Sequence, residues 1–284
     1  MKIFEAIILG TIQGITEFLP VSSSGHLVLV QRIFGISEPA LFFDTMVHVG
    51  TLAAVFVVLW KDIWGILRRP IQPMTGFLIL ATIPTVVVGL LLKDNIEQAF
   101  ASGSFLGLAF LFTAAALLVS WRLSGRSGRT AVVQDGAAEA VGKKKGGSLP
   151  PGVMNWLDAL VIGVCQAVAV IPGVSRSGLT LSGALSRKLD RDVAARFSFL
   201  LSIPAILGAL VLQLKDLASG EAGTGGIGAG SMAAGTLTAA IVGFFSVKFM
   251  LKIVRERSLW GFAVYVAILG ALVLADQAGP RLFF

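Results

Sequence analysis

The sequence has little charge and almost no cysteine, and each shortage excludes a class of protein. Only 14% of its 284 residues are charged, whereas about a quarter are charged in an ordinary soluble domain. The single cysteine, Cys165, excludes an internal disulfide, and we interpret it as a core residue. Hydrophobic residues make up 55% of the chain, and its mean hydropathy is +0.86. This composition excludes a soluble globular protein and predicts one that lies within a lipid bilayer.

Long apolar runs account for this composition. Each is close to the roughly 20 residues that an α-helix needs to cross a bilayer. Residues 1–19 are also apolar, but they hold two glutamates and lack the small-residue cleavage site of a signal peptide, so we expect them to be retained. The sequence therefore predicts an all-α integral membrane protein with six transmembrane helices, over residues 41–60, 75–92, 104–121, 197–214, 232–250 and 259–275.

The two halves of the chain are similar to each other. When they are aligned, a set of polar and small residues coincides: Glu5 with Asp158, Gly10 with Gly163, Gln13 with Gln166, Ser22 with Ser175, Ser24 with Ser177 and Gly25 with Gly178. Such an internal repeat indicates two copies of one structural unit. We predict a first repeat over 1–121 and a second over 156–284. Residues 122–155, rich in Gly, Ala and Lys, are predicted to form a flexible basic cytoplasmic linker.

Each repeat begins with an apolar segment that Pro, Gly and Ser interrupt. These segments, 3–35 and 156–187, are too short for two full crossings. We predict that each is a re-entrant helical hairpin, because broken backbone is tolerated at membrane depth where protein or a water-filled cavity surrounds it. Three true crossings per repeat is an odd number, so the second repeat must be inverted relative to the first. Inverted repeats with broken helices are a known membrane architecture.

Basic residues are concentrated on one face of this topology. The positive-inside rule places that face in the cytoplasm and both termini on the outer face. The net charge of +7 is then explained by topology and by contact with anionic lipid, and we expect no nucleic-acid partner. The opposite face carries Lys2, Arg32, Lys93, Lys215 and Arg281.

The hairpin tips, PVSSSGH and PGVSRSG, place polar groups at membrane depth. Their serines precede a helix, where hydroxyls cap the helix and free backbone N–H groups favour an anion. Arg176 replaces Ser23 in the second copy, and a guanidinium can hold two phosphate oxygens at once. If the tips meet, we expect Arg176 to face the Ser23 hydroxyl across a polar chamber. Glu17 and His26 would be at hand for proton transfer.

Other polar residues of the hairpins are candidates for binding the phosphate group: Gln13, Ser22, Ser24, Gly25, Ser175, Ser177 and Gly178. Serines in membrane helices more often have structural roles. Glu17 and Arg176 could also form a purely structural ion pair. Asp44 and His48 are four residues apart on the first crossing helix. They could bind a metal or join the polar network, and we favour the network.

The runs QGITEFLPVSSSGHL and AVIPGVSRSGLTLSGAL resemble the two motifs of bacterial undecaprenyl-diphosphate phosphatases of the bacitracin-resistance (BacA/UppP) family, and the resemblance covers essentially the whole chain. It implies a membrane enzyme that removes the terminal phosphate of a polyprenyl diphosphate, recycles the lipid carrier for cell-wall synthesis and confers bacitracin resistance. It also implies that Ser23 is the nucleophile, Arg176 the phosphate clamp, and Glu17 and His26 acid–base or metal-associated groups.

The same resemblance implies a divalent cation, Mg²⁺ or Ca²⁺, with Glu17 as a contact. It also implies a polyprenyl diphosphate substrate and an active site open to the outer face of the plasma membrane. The partners expected are this substrate and membrane lipid, and a homodimer is left open. Gln13 stands where many relatives have a second glutamate, so we expect it to orient substrate or metal rather than exchange protons.

The main alternative to the enzyme is a transporter or flippase of a polyprenyl phosphate, because carriers also use inverted repeats with broken helices. The cluster of serine, glutamate and histidine beside Arg176 favours the enzyme, because a bare carrier does not need these groups. A histidine-dependent acid phosphatase is excluded, because it needs a histidine after the second motif. Both histidines, His26 and His48, precede Arg176.

Overall fold

The computed structural model describes residues 1–36, 40–124, 154–220 and 226–279, and every regular element within these ranges is an α-helix. Most of the predicted linker, 122–155, lies outside the described residues. The helices are α1 (Ile3–Thr16), α2 (Ser23–Ile33), α3 (Leu41–Val58), α4 (Trp60–Arg68), α5 (Pro73–Leu91), α6 (Lys93–Ser102), α7 (Leu106–Ser124), α8 (Trp156–Val168), α9 (Arg176–Ser186), α10 (Arg191–Ser219), α11 (Ala229–Glu256) and α12 (Trp260–Ala278).

Six of these helices, α3, α5, α7, α10, α11 and α12, are long and apolar enough to cross a membrane. They match the six predicted runs, so the fold class is confirmed. Large apolar side chains on them are exposed, for example 65% of Val211, 64% of Phe245 and 63% of Leu272, as expected where lipid is the solvent. α10 begins several residues before the predicted run because Asp190 caps it, accepting hydrogen bonds from the backbone N–H groups of Asp192 and Val193.

Two short helices, α4 and α6, were not among the predicted elements. α4 follows α3 directly after Leu59, where the backbone leaves the helical region. Its exposed rings Trp60 and Trp64 stack at 5.4 Å, and the Arg68 guanidinium lies 5.0 Å from the Trp64 ring. Tryptophan beside a basic residue is typical of the interface between lipid and water.

The polar segments form two helical hairpins, α1 with α2 and α8 with α9. α1 has 14 residues and is therefore about 21 Å long, and the other three helices are shorter. None of them spans the roughly 30 Å of a hydrocarbon core. These lengths are those that a re-entrant hairpin requires.

The two repeats exchange contacts reciprocally. α1 packs against α11, the second long helix of the other repeat, and α8 packs against α5 in the same way. A Cβ atom at Gly10 would lie 2.3 Å from the Gly235 oxygen, and one at Gly163 would lie 2.5 Å from the Ala81 oxygen. Glycine therefore lets the helix backbones touch at equivalent places in both repeats. This exchange is consistent with the two-fold relation that the inverted repeat predicts.

Candidate active site

The two hairpin tips contact each other through equivalent serines. The backbone N–H of Gly173, in the second tip, donates a hydrogen bond of 3.3 Å to Ser24 Oγ in the first. In the other direction, Ser177 Oγ donates a 2.8 Å hydrogen bond to the Leu19 carbonyl oxygen. Each tip is thus held by a hydroxyl of the other, as expected of tips that meet. The contact brings residues of both repeats into one site.

Another pair of equivalent serines caps the helices that follow the tips. Ser22 Oγ accepts a hydrogen bond from the Gly25 backbone N–H at 3.2 Å, and Ser175 Oγ accepts one from the Gly178 N–H at 3.0 Å. All four of the serines predicted to bind phosphate therefore have structural partners. Their role in binding phosphate, and that of Gly25 and Gly178, remains a prediction.

The residues at the middle of the two tips converge on Glu17. This carboxylate is only 5% exposed, and it lies just after α1. Ser23 Oγ donates a 2.6 Å hydrogen bond to Oε2 of Glu17, and the guanidinium of Arg176 lies 2.5 Å from Oε1. A second nitrogen of Arg176 donates to the Ser198 carbonyl oxygen at 3.3 Å.

In this geometry the Glu17 carboxylate joins Arg176 to the Ser23 hydroxyl. Both groups reach the same carboxylate, one at each oxygen. The physical reason is that a partly buried guanidinium needs a counter-ion, and the Glu17 carboxylate neutralises its charge where a hydroxyl could not. The ion pair between Glu17 and Arg176, which the sequence raised as an alternative, is therefore present, and the Ser23 hydroxyl donates to the same carboxylate.

Gln13 is fully buried one helical turn before Glu17. Its Nε2 donates a 2.9 Å hydrogen bond to Oε2 of Glu17. Because a carboxylate only accepts, this contact fixes the orientation of the Gln13 amide. Its Oε1 has no hydrogen-bond partner among the described residues. Gln13 thus orients the carboxylate, and its predicted contact with substrate or metal remains a prediction.

The two histidines lie in different surroundings. His26 is 9% exposed, its Nδ1 donates to the Ser22 carbonyl oxygen at 2.7 Å, and its Nε2 lies 2.8 Å from the Tyr265 hydroxyl. His48 is more open, with 26% of its side chain exposed. Its Nδ1 lies 2.6 Å from the Asp44 carbonyl oxygen, and its Nε2 lies 3.4 Å from Oε2 of Glu17.

A cavity of about 700 Å³ opens beside this cluster. Its polar lining includes Glu17, Ser23, Ser24, His48, Ser175, Arg176 and Ser177. Apolar side chains of α5 and α10, such as Val86, Leu90 and Leu207, form much of the remaining wall. Lys93 and Asp216 also line the cavity, and their ion pair of 2.9 Å joins α6 to α10. Polar groups suited to a phosphate and an apolar wall therefore line the same cavity.

Several of these contacts were missed from the sequence. The spacing of Asp44 and His48 was recognised, but the contact between His48 and Glu17 was not. Tyr265 and Ser198 were not singled out at all. The four-residue spacing was the one local signal, and Asp44 accepts a 2.6 Å hydrogen bond from Gln31, as a residue of the polar network would.

The described residues do not fit a cation held by protein groups alone. No group of three histidine, cysteine, aspartate or glutamate side chains in this part of the chain is placed to hold a metal ion. Both oxygens of Glu17 already accept from Arg176, Ser23 and Gln13. The predicted metal contact of Glu17 therefore gains no support from its surroundings.

Known proteins are similar in sequence to this chain along its whole length. Residues 6–272 match the family described as bacitracin resistance protein BacA. An undecaprenyl-diphosphatase of Carboxydothermus hydrogenoformans is 44% identical over 281 residues, which is 99% of this chain and 100% of that protein. Undecaprenyl-diphosphatase 4 of Bacillus thuringiensis subsp. konkukian is 43% identical, covering 98% of both chains. An undecaprenyl-diphosphatase of Methanosphaera stadtmanae is 39% identical over 96% of this chain and 98% of its own. The chain therefore belongs to the bacitracin resistance protein BacA family.

Proposed function

We propose that this protein is an undecaprenyl-diphosphatase, which hydrolyses undecaprenyl diphosphate to undecaprenyl phosphate and inorganic phosphate. Its activity recycles the lipid carrier for cell-wall synthesis and confers resistance to bacitracin. The names of the relatives support the reaction. The observation that carries it is the hydroxyl of Ser23 bonded to the Glu17 carboxylate beside Arg176, in a cavity with an apolar wall.

Ser23 is the nucleophile in this proposal. A serine hydroxyl is a weak nucleophile until an adjacent base takes its proton, and Oε2 of Glu17 accepts that hydrogen bond at 2.6 Å. The new bond joins Ser23 Oγ to the terminal phosphorus, while the bond from that phosphorus to the bridging oxygen breaks. The electron pair leaves with the prenyl monophosphate. Water then attacks the phosphorus of the phosphoserine, and the bond from that phosphorus to Ser23 Oγ breaks. The proton held by Glu17 returns to Ser23 Oγ, and both protons of the water leave with the inorganic phosphate.

Arg176 stabilises the phosphoryl group as it transfers. The reaction needs little covalent chemistry from the protein beyond the nucleophile, and positioned charge supplies most of the acceleration. In the free enzyme Arg176 is paired with Glu17, so an incoming phosphate must take the place of this carboxylate on the guanidinium. Separating the pair frees Arg176 for the phosphate and Glu17 for the Ser23 proton.

The long tail of the substrate is accommodated by apolar surface. α5 and α10 contribute the apolar wall of the cavity, and side chains of this wall such as Leu90 and Val211 are also exposed to the surroundings. A prenyl chain can therefore lie between the cavity and the surrounding lipid while its diphosphate reaches Arg176. His26 is not among the residues that line the cavity. Its contacts with Ser22 and Tyr265 support a role in holding the first tip.

We further propose the orientation predicted from the charges, a plasma-membrane protein with both termini on the outer face; the resemblance adds that the cavity opens to this face. The basic residues support it, because they are concentrated on the face that the positive-inside rule assigns to the cytoplasm. A requirement for Mg²⁺ or Ca²⁺ and a homodimer stay proposals that come from the resemblance alone.

The function is tested by measuring phosphate release from undecaprenyl diphosphate with purified protein, with and without a chelator. We expect Ser23→Ala to lose at least about 10³-fold in kcat, because it removes the attacking atom. Ser104→Ala, which removes an exposed hydroxyl outside the cavity, is the matched control and should retain activity. If the wild type moves the lipid across vesicle membranes without releasing phosphate, the transporter alternative is correct instead.

A further inference from the structure

The reaction proposed above leaves Glu17 with an electrostatic problem. In the free enzyme its buried carboxylate is neutralised by Arg176 at 2.5 Å. When Arg176 turns to the substrate, Glu17 would face an anionic phosphate without a counter-ion. An unpaired buried charge is strongly unfavourable, and a carboxylate in that state would take a proton before Ser23 could give one up. A second cationic group at Glu17 would remove the problem.

His48 is placed to be that group. Its Nε2 lies 3.4 Å from Oε2 of Glu17, the same oxygen that accepts the Ser23 hydroxyl. Its Nδ1 lies 2.6 Å from the Asp44 carbonyl oxygen. A carbonyl oxygen can only accept, so Nδ1 carries a hydrogen, and the ring is held with Nε2 towards Glu17.

The carboxylate beside Nε2 favours the charged form of the ring. A bare Nε2 would place a lone pair 3.4 Å from an ionised carboxylate oxygen, and the two would repel each other. A ring with a hydrogen on both nitrogens is an imidazolium, whose charge attracts Glu17 at this distance. The charged groups around His48 are Glu17 in the first hairpin tip, Asp44 on its own helix and, on the far side of Glu17, Arg176 on α9.

His26 is not suited to this task. Both of its ring nitrogens have other partners, the Ser22 carbonyl oxygen at 2.7 Å and the Tyr265 hydroxyl at 2.8 Å. His48 lines the cavity that contains Ser23 and Arg176. Of the two histidines in the chain, His48 is therefore the one in contact with the base of the reaction.

We propose that His48 is a positioning residue, which as an imidazolium replaces Arg176 as the counter-ion of Glu17 when substrate binds. It keeps Glu17 ionised and aimed at Ser23 while Arg176 holds the phosphate. During attack the Ser23 proton moves to Oε2 of Glu17, and His48 keeps its own proton and charge. This role rests on the proposed function, because it concerns the step in which Ser23 attacks.

The test is chemical rescue of His48→Ala in the purified full-length protein. We expect kcat for undecaprenyl diphosphate to fall about 10- to 100-fold, the loss expected for one hydrogen bond to a charged group, with a smaller change in KM. His48 lines an open cavity, so imidazole added to the assay can occupy the space that the side chain leaves. Added imidazole should restore much of kcat. Pyrazole has the same size and shape but stays neutral, so it should not.

The controls separate this role from a structural one. Val57→Ala changes an exposed side chain of the same helix outside the cavity, and it should show neither the loss of kcat nor a response to imidazole. If His48→Ala does not fold, His48→Gln replaces it; this variant keeps a neutral donor, and it should still be slowed in kcat. Unchanged kcat in the His48 variant, or equal rescue by pyrazole, overturns the proposal. An inactive wild type would instead contradict the proposed function itself.

Discussion

Replacing Arg176 by lysine tests the central electrostatic contact of the site. The guanidinium bridges two groups, Oε1 of Glu17 at 2.5 Å and the Ser198 carbonyl oxygen at 3.3 Å. Lysine keeps the charge, but it is a single point charge and lacks the planar fork that holds two oxygens at fixed spacing. Arg176→Lys therefore removes the second contact and leaves the net charge of the site unchanged.

The size of the effect follows from the second donor that lysine lacks, which in the proposed complex holds a second phosphate oxygen. A hydrogen bond to a charged group contributes about 1.5–3 kcal/mol. Each 1.36 kcal/mol of transition-state stabilisation is worth about tenfold in rate, so kcat/KM should fall about 10- to 150-fold. The loss should appear mainly in kcat, because the charge on the transferring phosphoryl group is largest in the transition state.

The assay is phosphate release from undecaprenyl diphosphate by variants of equal purity and thermal stability. Arg187→Lys is the matched control, because Arg187 lies in the same hairpin and pairs with Asp158 at 2.7 Å but does not line the cavity. It should keep most of the activity. An Arg176→Lys enzyme with undiminished kcat/KM would refute the bidentate grip on phosphate.

Two further predictions concern stability, and both are measured by thermal unfolding in detergent. Gly10→Leu should destabilise the protein by about 1–3 kcal/mol, because even a Cβ would meet a backbone oxygen of the facing helix at 2.3 Å. Gly76→Leu, where nothing lies within 4 Å of an added Cβ, should not, and equal stability of the two variants would contradict the close packing. Asp62→Asn should cost about 1.5–3 kcal/mol by breaking its buried ion pair with Arg196, which keeps Asp192 as a second counter-ion. Asp94→Asn, at an exposed carboxylate, is its control, and an Asp62→Asn protein as stable as this control would contradict that assignment.

The membrane helices could be predicted because one physical requirement fixes them. A span needs about 20 apolar residues, and the sequence contains six such runs, which correspond to α3, α5, α7, α10, α11 and α12. The short helices α4 and α6 obey no such requirement. They hold charged residues, such as Asp62 and Lys93, and their positions depend on partners in α10, Arg196 and Asp216, that are distant in sequence.

The site was predictable to the extent that the repeat determines it. Aligning the two tips singled out Ser23 and Arg176, since these positions differ between copies that otherwise coincide. The charges of Glu17 and Arg176 raised their ion pair as an alternative, but which oxygen each group contacts could not be read from residues 159 positions apart. The same holds for His26 and Tyr265, which are separated by 239 residues. Such contacts arise from packing and leave no local pattern.

The reciprocal serine contacts between the hairpin tips have a consequence for how this enzyme can evolve. The proposed nucleophile Ser23 and base Glu17 belong to the first repeat and the proposed clamp Arg176 to the second, so in this proposal each repeat is an incomplete enzyme and also the scaffold of the other. A substitution that loosens Ser177 in the second tip would displace Leu19, four residues before Ser23, and would therefore impair chemistry in the opposite half. The duplicated halves have thus become mutually dependent, and neither can drift without constraint from its counterpart.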